Sequence, residues 1–148
     1  MFLFKKEYEM IKGDLLTLSC IKLEPGNEYE IPYYWYDIIL NETKEKIGKI
    51  SIRIGHNYHS YFNGNIGYEI DEPYRGHHYA LEACKMILAV AKAHQMTYIY
   101  LCCDEENVAS YKTIEQLGGR LVEIILPSKD YFGYYEGMSR SRIYQLDI

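Results

Sequence analysis

Arg75-Gly76-His77-His78-Tyr79-Ala80 is a basic, glycine-containing turn that runs straight into an apolar-periodic segment ending near His94. The first N–H groups of a helix lack intrahelical partners and carry the positive end of the helix dipole. Such a turn therefore suits a phosphate-bearing ligand. A second polar helix start follows at Asn107, a residue type that caps helices. Between the two lies an apolar strand, Thr97 to Cys103, expected to lie beside the strand that precedes Arg75. Two helix N-termini aimed at one crevice of a sheet suit a long, anionic, hydrogen-bonding ligand such as a nucleotide or coenzyme A.

The elements that must position these residues follow from hydrophobic periodicity. Ile66, Tyr68 and Ile70 alternate with Gly67, Glu69 and Asp71, a strand that Pro73 stops. From Tyr79 the period becomes helical, with Ala80, Ala83, Cys84, Ile87, Val90 and Ala91 on one face and Glu82, Lys85 and Lys92 opposite. The helix capped by Asn107 runs to Leu117 and is closed by Gly118-Gly119 as a left-handed stop. Upstream, Leu15 to Leu23, Tyr33 to Leu40 and Ile47 to Ile54 read as strands, with a polar hairpin loop from Asn41 to Lys46. Gly55 to Gly64 reads as loop. Arg120 to Leu126 and Arg142 to Ile148 are the last strands, and the loop between them, rich in tyrosine from Tyr131 to Tyr135, either closes over an acceptor or covers a sheet edge. A meander followed by strand–helix alternation predicts one mixed sheet covered by helices.

Composition sets outer bounds. The 148 residues are most simply one domain, residues 1–148, large enough for a full core, and the 48% hydrophobic and 25% charged content is ordinary for a globular chain. A net charge of −5 without a basic stripe argues against a nucleic-acid partner. No apolar run approaches membrane-spanning length, and Met1-Phe-Leu-Phe-Lys-Lys-Glu lacks the apolar core of a signal peptide. Cys20, Cys84, Cys102 and Cys103 have no C-x-x-C spacing and read as reduced thiols, so a cytoplasmic location is expected. His77 and His78 lack a third ligand at metal-binding spacing, so no metal is expected. The seventeen tyrosines read first as amphipathic packing.

In their order and spacing these motifs resemble the GNAT family of acyl-coenzyme A-dependent N-acetyltransferases. The family's loop places Gln or Arg, two residues, Gly, one residue, then Gly or Ala; Arg75 and Ala80 match its ends, while His78 stands at the glycine. Asn107-Val108-Ala109-Ser110 and Glu115-Gln116-Leu117-Gly118 match its asparagine-started helix. Gly67-Tyr68 and the Cys-Asp-Glu-Glu-Asn run before that helix look like one bacterial branch. The resemblance covers Gly64 to about Glu123 and implies a mixed α/β (α+β) fold. Its central twisted sheet would be mixed but mostly antiparallel, with about six or seven strands, helices on both faces and a splayed parallel strand pair at the cofactor cleft. It also implies acetyl-coenzyme A as co-substrate, with backbone groups near Ile70 and Glu72 on the pantetheine arm. The N–H groups of Gly76, His77, His78, Tyr79 and Ala80 would hold the pyrophosphate, and Asn107 and Ser110 would line the thioester side.

The resemblance implies acetyl transfer by direct attack of an amine, for which a base, an oxyanion donor and a proton for the leaving thiolate are needed. Glu69 is the candidate base and a backbone N–H near Ile70 the candidate oxyanion donor. The tyrosine that many members carry seven residues after the asparagine is Ile114 here. Tyr111, one turn earlier, is the candidate acid, with solvent the alternative. The acceptor is a small-molecule or protein amine, and the chain is a monomer or homodimer. The rival expectation is a non-catalytic acyl-coenzyme A sensor. A dinucleotide-dependent oxidoreductase is disfavoured, since no G-x-G-x-x-G follows a strand and no P-loop is present.

Overall fold

The computed structural model describes residues 1–148. Eight strands and three α-helices succeed one another as β1 (Met10–Lys12), β2 (Leu16–Glu24), β3 (Tyr33–Leu40), β4 (Lys46–Arg53), α1 (Tyr58–Asn63), β5 (Ile66–Ile70), α2 (Tyr79–Ala93), β6 (Tyr98–Asp104), α3 (Val108–Leu117), β7 (Arg120–Ile125) and β8 (Ser141–Asp147). The expected single sheet of six or seven strands is corrected to two sheets. β1 to β5 form a five-stranded meander in chain order, and β6, β8 and β7 form a three-stranded sheet with β8 central. Every ladder is antiparallel. The mixed α+β fold of antiparallel sheet and helices stands; the finer strand count does not.

β3 shows why the meander folds. Tyr34, Tyr36, Ile38 and Leu40 are buried, while Tyr33, Trp35, Asp37 and Ile39 on the other face are half-exposed. The buried face joins Leu16, Leu18, Ile50, Ile52, Ile66 and Ile70 in one core. α2 seals it with Ala83, Cys84, Ile87, Val90 and Ala91, small residues among them allowing close approach. Each fully buried aliphatic side chain contributes about 1.5–3 kcal/mol. The buried tyrosines bring bonded hydroxyls with them. Tyr34 Oη accepts from the Lys5 N–H at 2.8 Å and meets His94 Nε2 at 2.7 Å, Tyr36 Oη donates to the Tyr8 carbonyl at 2.6 Å, and Tyr144 Oη donates to Glu115 at 2.7 Å. Much of the tyrosine excess is therefore packing.

Two elements depart from the sequence reading. β1 is three residues long, too short for a period to register. α1 lies inside the stretch read as loop. It is held by reciprocal bonds, the Asn57 side chain accepting from the Ser60 N–H and Ser60 Oγ from the Asn57 N–H. Its six residues give less than two turns of periodicity. The tyrosine-rich loop packs on α1, with Tyr131 buried beside His59 and Phe62, and Phe132 N–H donating to His59 Nδ1 at 3.1 Å. No helix is long and apolar enough to cross a membrane.

Candidate active site

The two sheets meet through Asn65, a fully buried residue at the entrance to β5. Ladder parity explains its arrangement. Arg53 N–H donates to the Asn65 carbonyl and Asp71 N–H to the Ile47 carbonyl, so odd-numbered residues of β5 pair with β4. The Asn65 N–H breaks that rule and donates to the Tyr100 carbonyl of β6 at 2.7 Å. Its side chain repairs both sides: Nδ2 donates to Arg53 O at 3.0 Å and Gly55 O at 2.9 Å, and Oδ1 accepts from the Tyr100 N–H at 2.9 Å. Gly64, at φ 81°, makes the close approach possible, since a Cβ there would sit 3.1 Å from Cys102 N.

Beyond this staple β5 and β6 form no ladder with each other. By the same parity, Tyr68 and Ile70 point their N–H and C=O groups away from β4 and into the gap. The gap opens into a cleft of about 470 Å³, with the C-terminal half of β5 and the starts of α2 and α3 as its walls. Of the twelve residues singled out from sequence, nine line it: Glu69, Ile70, Arg75, Gly76, His78, Tyr79, Ala80, Asn107 and Ser110. Glu72, His77 and Tyr111 do not. Glu72 opens an exposed 3₁₀ turn, the His77 ring stacks on Tyr79, and the Tyr111 ring lies under Arg142, whose guanidinium carbon is 4.0 Å from its centroid. Ile114 is buried in the core.

The two helix starts differ. Asn107 Oδ1 accepts from the Ser110 N–H at 3.2 Å, so α3 is capped by its own side chain. α2 has no side-chain cap, leaving its first N–H groups without intrachain acceptors. The turn before it is shaped by two left-handed residues, Gly76 at φ 87° and His78 at φ 62°, ψ 21°. A glycine at the position of His78 would meet that conformation without steric cost. His78→Gly is therefore expected to leave the fold intact and to raise stability by up to about 1 kcal/mol, read as a higher unfolding midpoint. A fall in stability would show that the imidazole makes a contact worth more than the backbone strain. Arg75 braces the same turn, its Nε donating to the Ile70 carbonyl at 2.8 Å.

Sequence reasoning passed over Tyr68 as a site residue. Its hydroxyl spans the gap to α3, 3.0 Å from Ser110 Oγ, and burial raises its pKa above the usual phenol value, so it stays protonated at neutral pH. Tyr74 also lines the cleft and is tied to Glu45 at 2.6 Å. All four cysteines are free. Burial pushes Cys84 and Cys102 up to about 12, leaving almost no nucleophilic thiolate at neutral pH. No group of three or more His, Cys, Asp or Glu converges on a point where a metal could sit.

The chain matches the acetyltransferase (GNAT) domain over residues 17–120. It belongs to the GNAT acetyltransferase family. Among solved structures it is similar to a GNAT-family acetyltransferase from Bacillus anthracis, at 22% identity and TM-score 0.61, covering 76% of this chain and 65% of that one. It spans just under two thirds of that relative's length. An acetyltransferase from Agrobacterium tumefaciens shares 18% identity and TM-score 0.67, covering 100% of this chain and 98% of the other. The microcin C7 self-immunity acetyltransferase, solved in complex with acetyl-CoA and AMP, shares 17% identity and TM-score 0.59 over 78% of this chain and 61% of its own. At these identities the likeness shows the fold. No curated protein matches the chain.

Proposed function

We propose that this protein is an N-acetyltransferase that moves acetyl from acetyl-CoA directly to an amine, and that residues 1–148 act as one domain. The observation that carries the reading is the gap between β5 and β6, bordered by strand groups that face no partner strand and by the uncapped start of α2. Free N–H groups and the helix dipole at Gly76 to Ala80 suit a pyrophosphate, and Arg75 adds a cation at the rim. The unladdered amide edge of Tyr68 and Ile70, on which only the Ile70 carbonyl accepts a side-chain bond, from Arg75, suits the amides of a pantetheine arm. Asn107 and Ser110 form the facing wall.

When bound, acetyl-CoA supplies an activated acetyl group, which passes to the acceptor nitrogen as the carbon–sulfur bond breaks. Glu69 takes the proton of the acceptor ammonium, directly or through a water, so that the neutral amine attacks. Its placement favours that role, because it borders both this cleft and a second groove across the sheet. A backbone N–H on the free edge of β5 faces the developing oxyanion. Tyr111 stands off the cleft, so the proton for the departing thiolate is assigned to the Tyr68 hydroxyl on Ser110 or to solvent. None of the four cysteines lines the cleft, which favours direct attack over an acetyl-cysteine intermediate.

Thiol release from acetyl-CoA on mixing with a panel of primary amines tests the reading. Amine-dependent release above the hydrolysis blank is expected; coenzyme A binding without release for any amine would favour a sensor. Asn107→Ala is expected to cost about 1 kcal/mol of stability through the lost cap and to weaken acetyl-CoA binding several-fold. If only stability changes, Asn107 is a cap and nothing more.

A further inference from the structure

Across the large sheet from α2 lies a groove of about 200 Å³ lined by Trp35, Lys49, Ser51, Arg53, Gly67 and Glu69. Register explains its shape. Trp35, Ser51 and Gly67 form one row across β3, β4 and β5, and Asp37, Lys49 and Glu69 form the next. Gly67 leaves the β5 end of the first row without a side chain, beside the small Ser51. Arg53 leans over that row, its Nη1 3.8 Å from where a Cβ on Gly67 would lie.

The guanidinium is half-buried, and no carboxylate stands within salt-bridge distance of it. It lies 5.4 Å from the Tyr33 ring centroid, its Nε is buried without a partner, and its one hydrogen bond is a long 3.5 Å contact from Nη1 to the Gly64 carbonyl. A partly desolvated cation lacking a counter-ion is costly unless an anion completes it. Lys49, two residues before Ser51 on the same strand face and in the row of Glu69, adds a second cation on the other side of Ser51 from Arg53; it stands opposite Glu69 without forming a salt bridge to it. Glu69 and Gly67 are two residues apart on one strand face, which separates their rows by about 6–7 Å.

We propose that this groove is the acceptor subsite and that it takes a small primary amine carrying an anionic group about 6–7 Å from its nitrogen. The anion pairs with Arg53 and Lys49 over Ser51, the body lies against Trp35, and the amine reaches Glu69 at the edge of the acetyl-CoA cleft. The groove is smaller than usual for drug-sized ligands, which suits a compact acceptor. This inference rests on the transferase reading.

The test uses 4-(aminomethyl)benzoate against 4-(aminomethyl)benzamide, which keeps the ammonium but lacks the carboxylate, each followed by calorimetric binding to the protein and by acetyl transfer. The acid is expected to bind at least 10-fold more tightly and to be acetylated with at least 10-fold higher kcat/KM. Arg53→Gln should cut that preference below about threefold, and Lys49→Gln, at an exposed position, should lower it partially without loss of fold. Equal handling of acid and amide by the wild-type protein would overturn the proposal. So would binding of neither, or acetylation confined to protein N-termini. Binding of the acid without any transfer would uphold the anion site and remove the transferase reading, so the two failures are distinguishable.

Discussion

Asn65→Ala is expected to destabilise the protein by about 3–5 kcal/mol, because three part-buried backbone groups lose their partners at once and a fully buried site is emptied. The Tyr100 N–H and the Arg53 and Gly55 carbonyls all bond to this one side chain. For a chain of this size the unfolding midpoint should fall by roughly 10 °C or more. Asn65→Asp keeps the acceptor for Tyr100 but turns an oxygen towards the two carbonyls, so it should be no better than alanine. Acetyl-CoA affinity should fall as well, since the staple sets where β5 and β6 part. A midpoint within 2 or 3 °C of wild type, about 1 kcal/mol, would mean that the sheets are joined mainly by core packing.

The second large effect is catalytic. Glu69→Gln is expected to lower kcat about 100-fold, in the range of a positioned general base, while leaving acetyl-CoA affinity and stability unchanged. Glu69 is exposed and paired to no cation, so its removal takes away proton acceptance rather than a structural contact. The readout is a split between steady-state turnover and cofactor affinity measured on the same variant. Turnover within threefold of wild type would assign deprotonation to water or to another group.

The parts of this site carried by local patterns were legible in the sequence. The buried face of α2 was visible as Ala83, Cys84, Ile87, Val90 and Ala91, and α3 was visible from Asn107 to its left-handed stop at Gly118, which has φ 109°. Both arise within a few residues of chain, where periodicity and capping chemistry are explicit. Asn65 was not legible. A lone polar residue between Gly64 and Ile66 reads as the end of a loop, and its role comes from bonds to Tyr100, thirty-five residues away. The junction of the two sheets runs through that same residue and was missed with it. Tyr68 reads as one more alternating aromatic until α3 brings Ser110 to its hydroxyl. The second groove was equally hidden, because Trp35, Arg53 and Gly67 become neighbours only through the registers of three strands. The proposed cofactor side is a set of local motifs, whereas the proposed acceptor side exists only after the sheet has formed.

Acetyl-CoA is proposed to bind in the gap between β5 and β6. Calorimetric titration of acetyl-CoA into the purified protein measures this directly. Binding at or below about 100 μM, roughly 5.5 kcal/mol, is expected, and it should be lost when Ala80→Asp places a negative charge at the open start of α2. No detectable heat from the wild-type protein at millimolar acetyl-CoA, or an Ala80→Asp variant that binds as well as wild type, would contradict it.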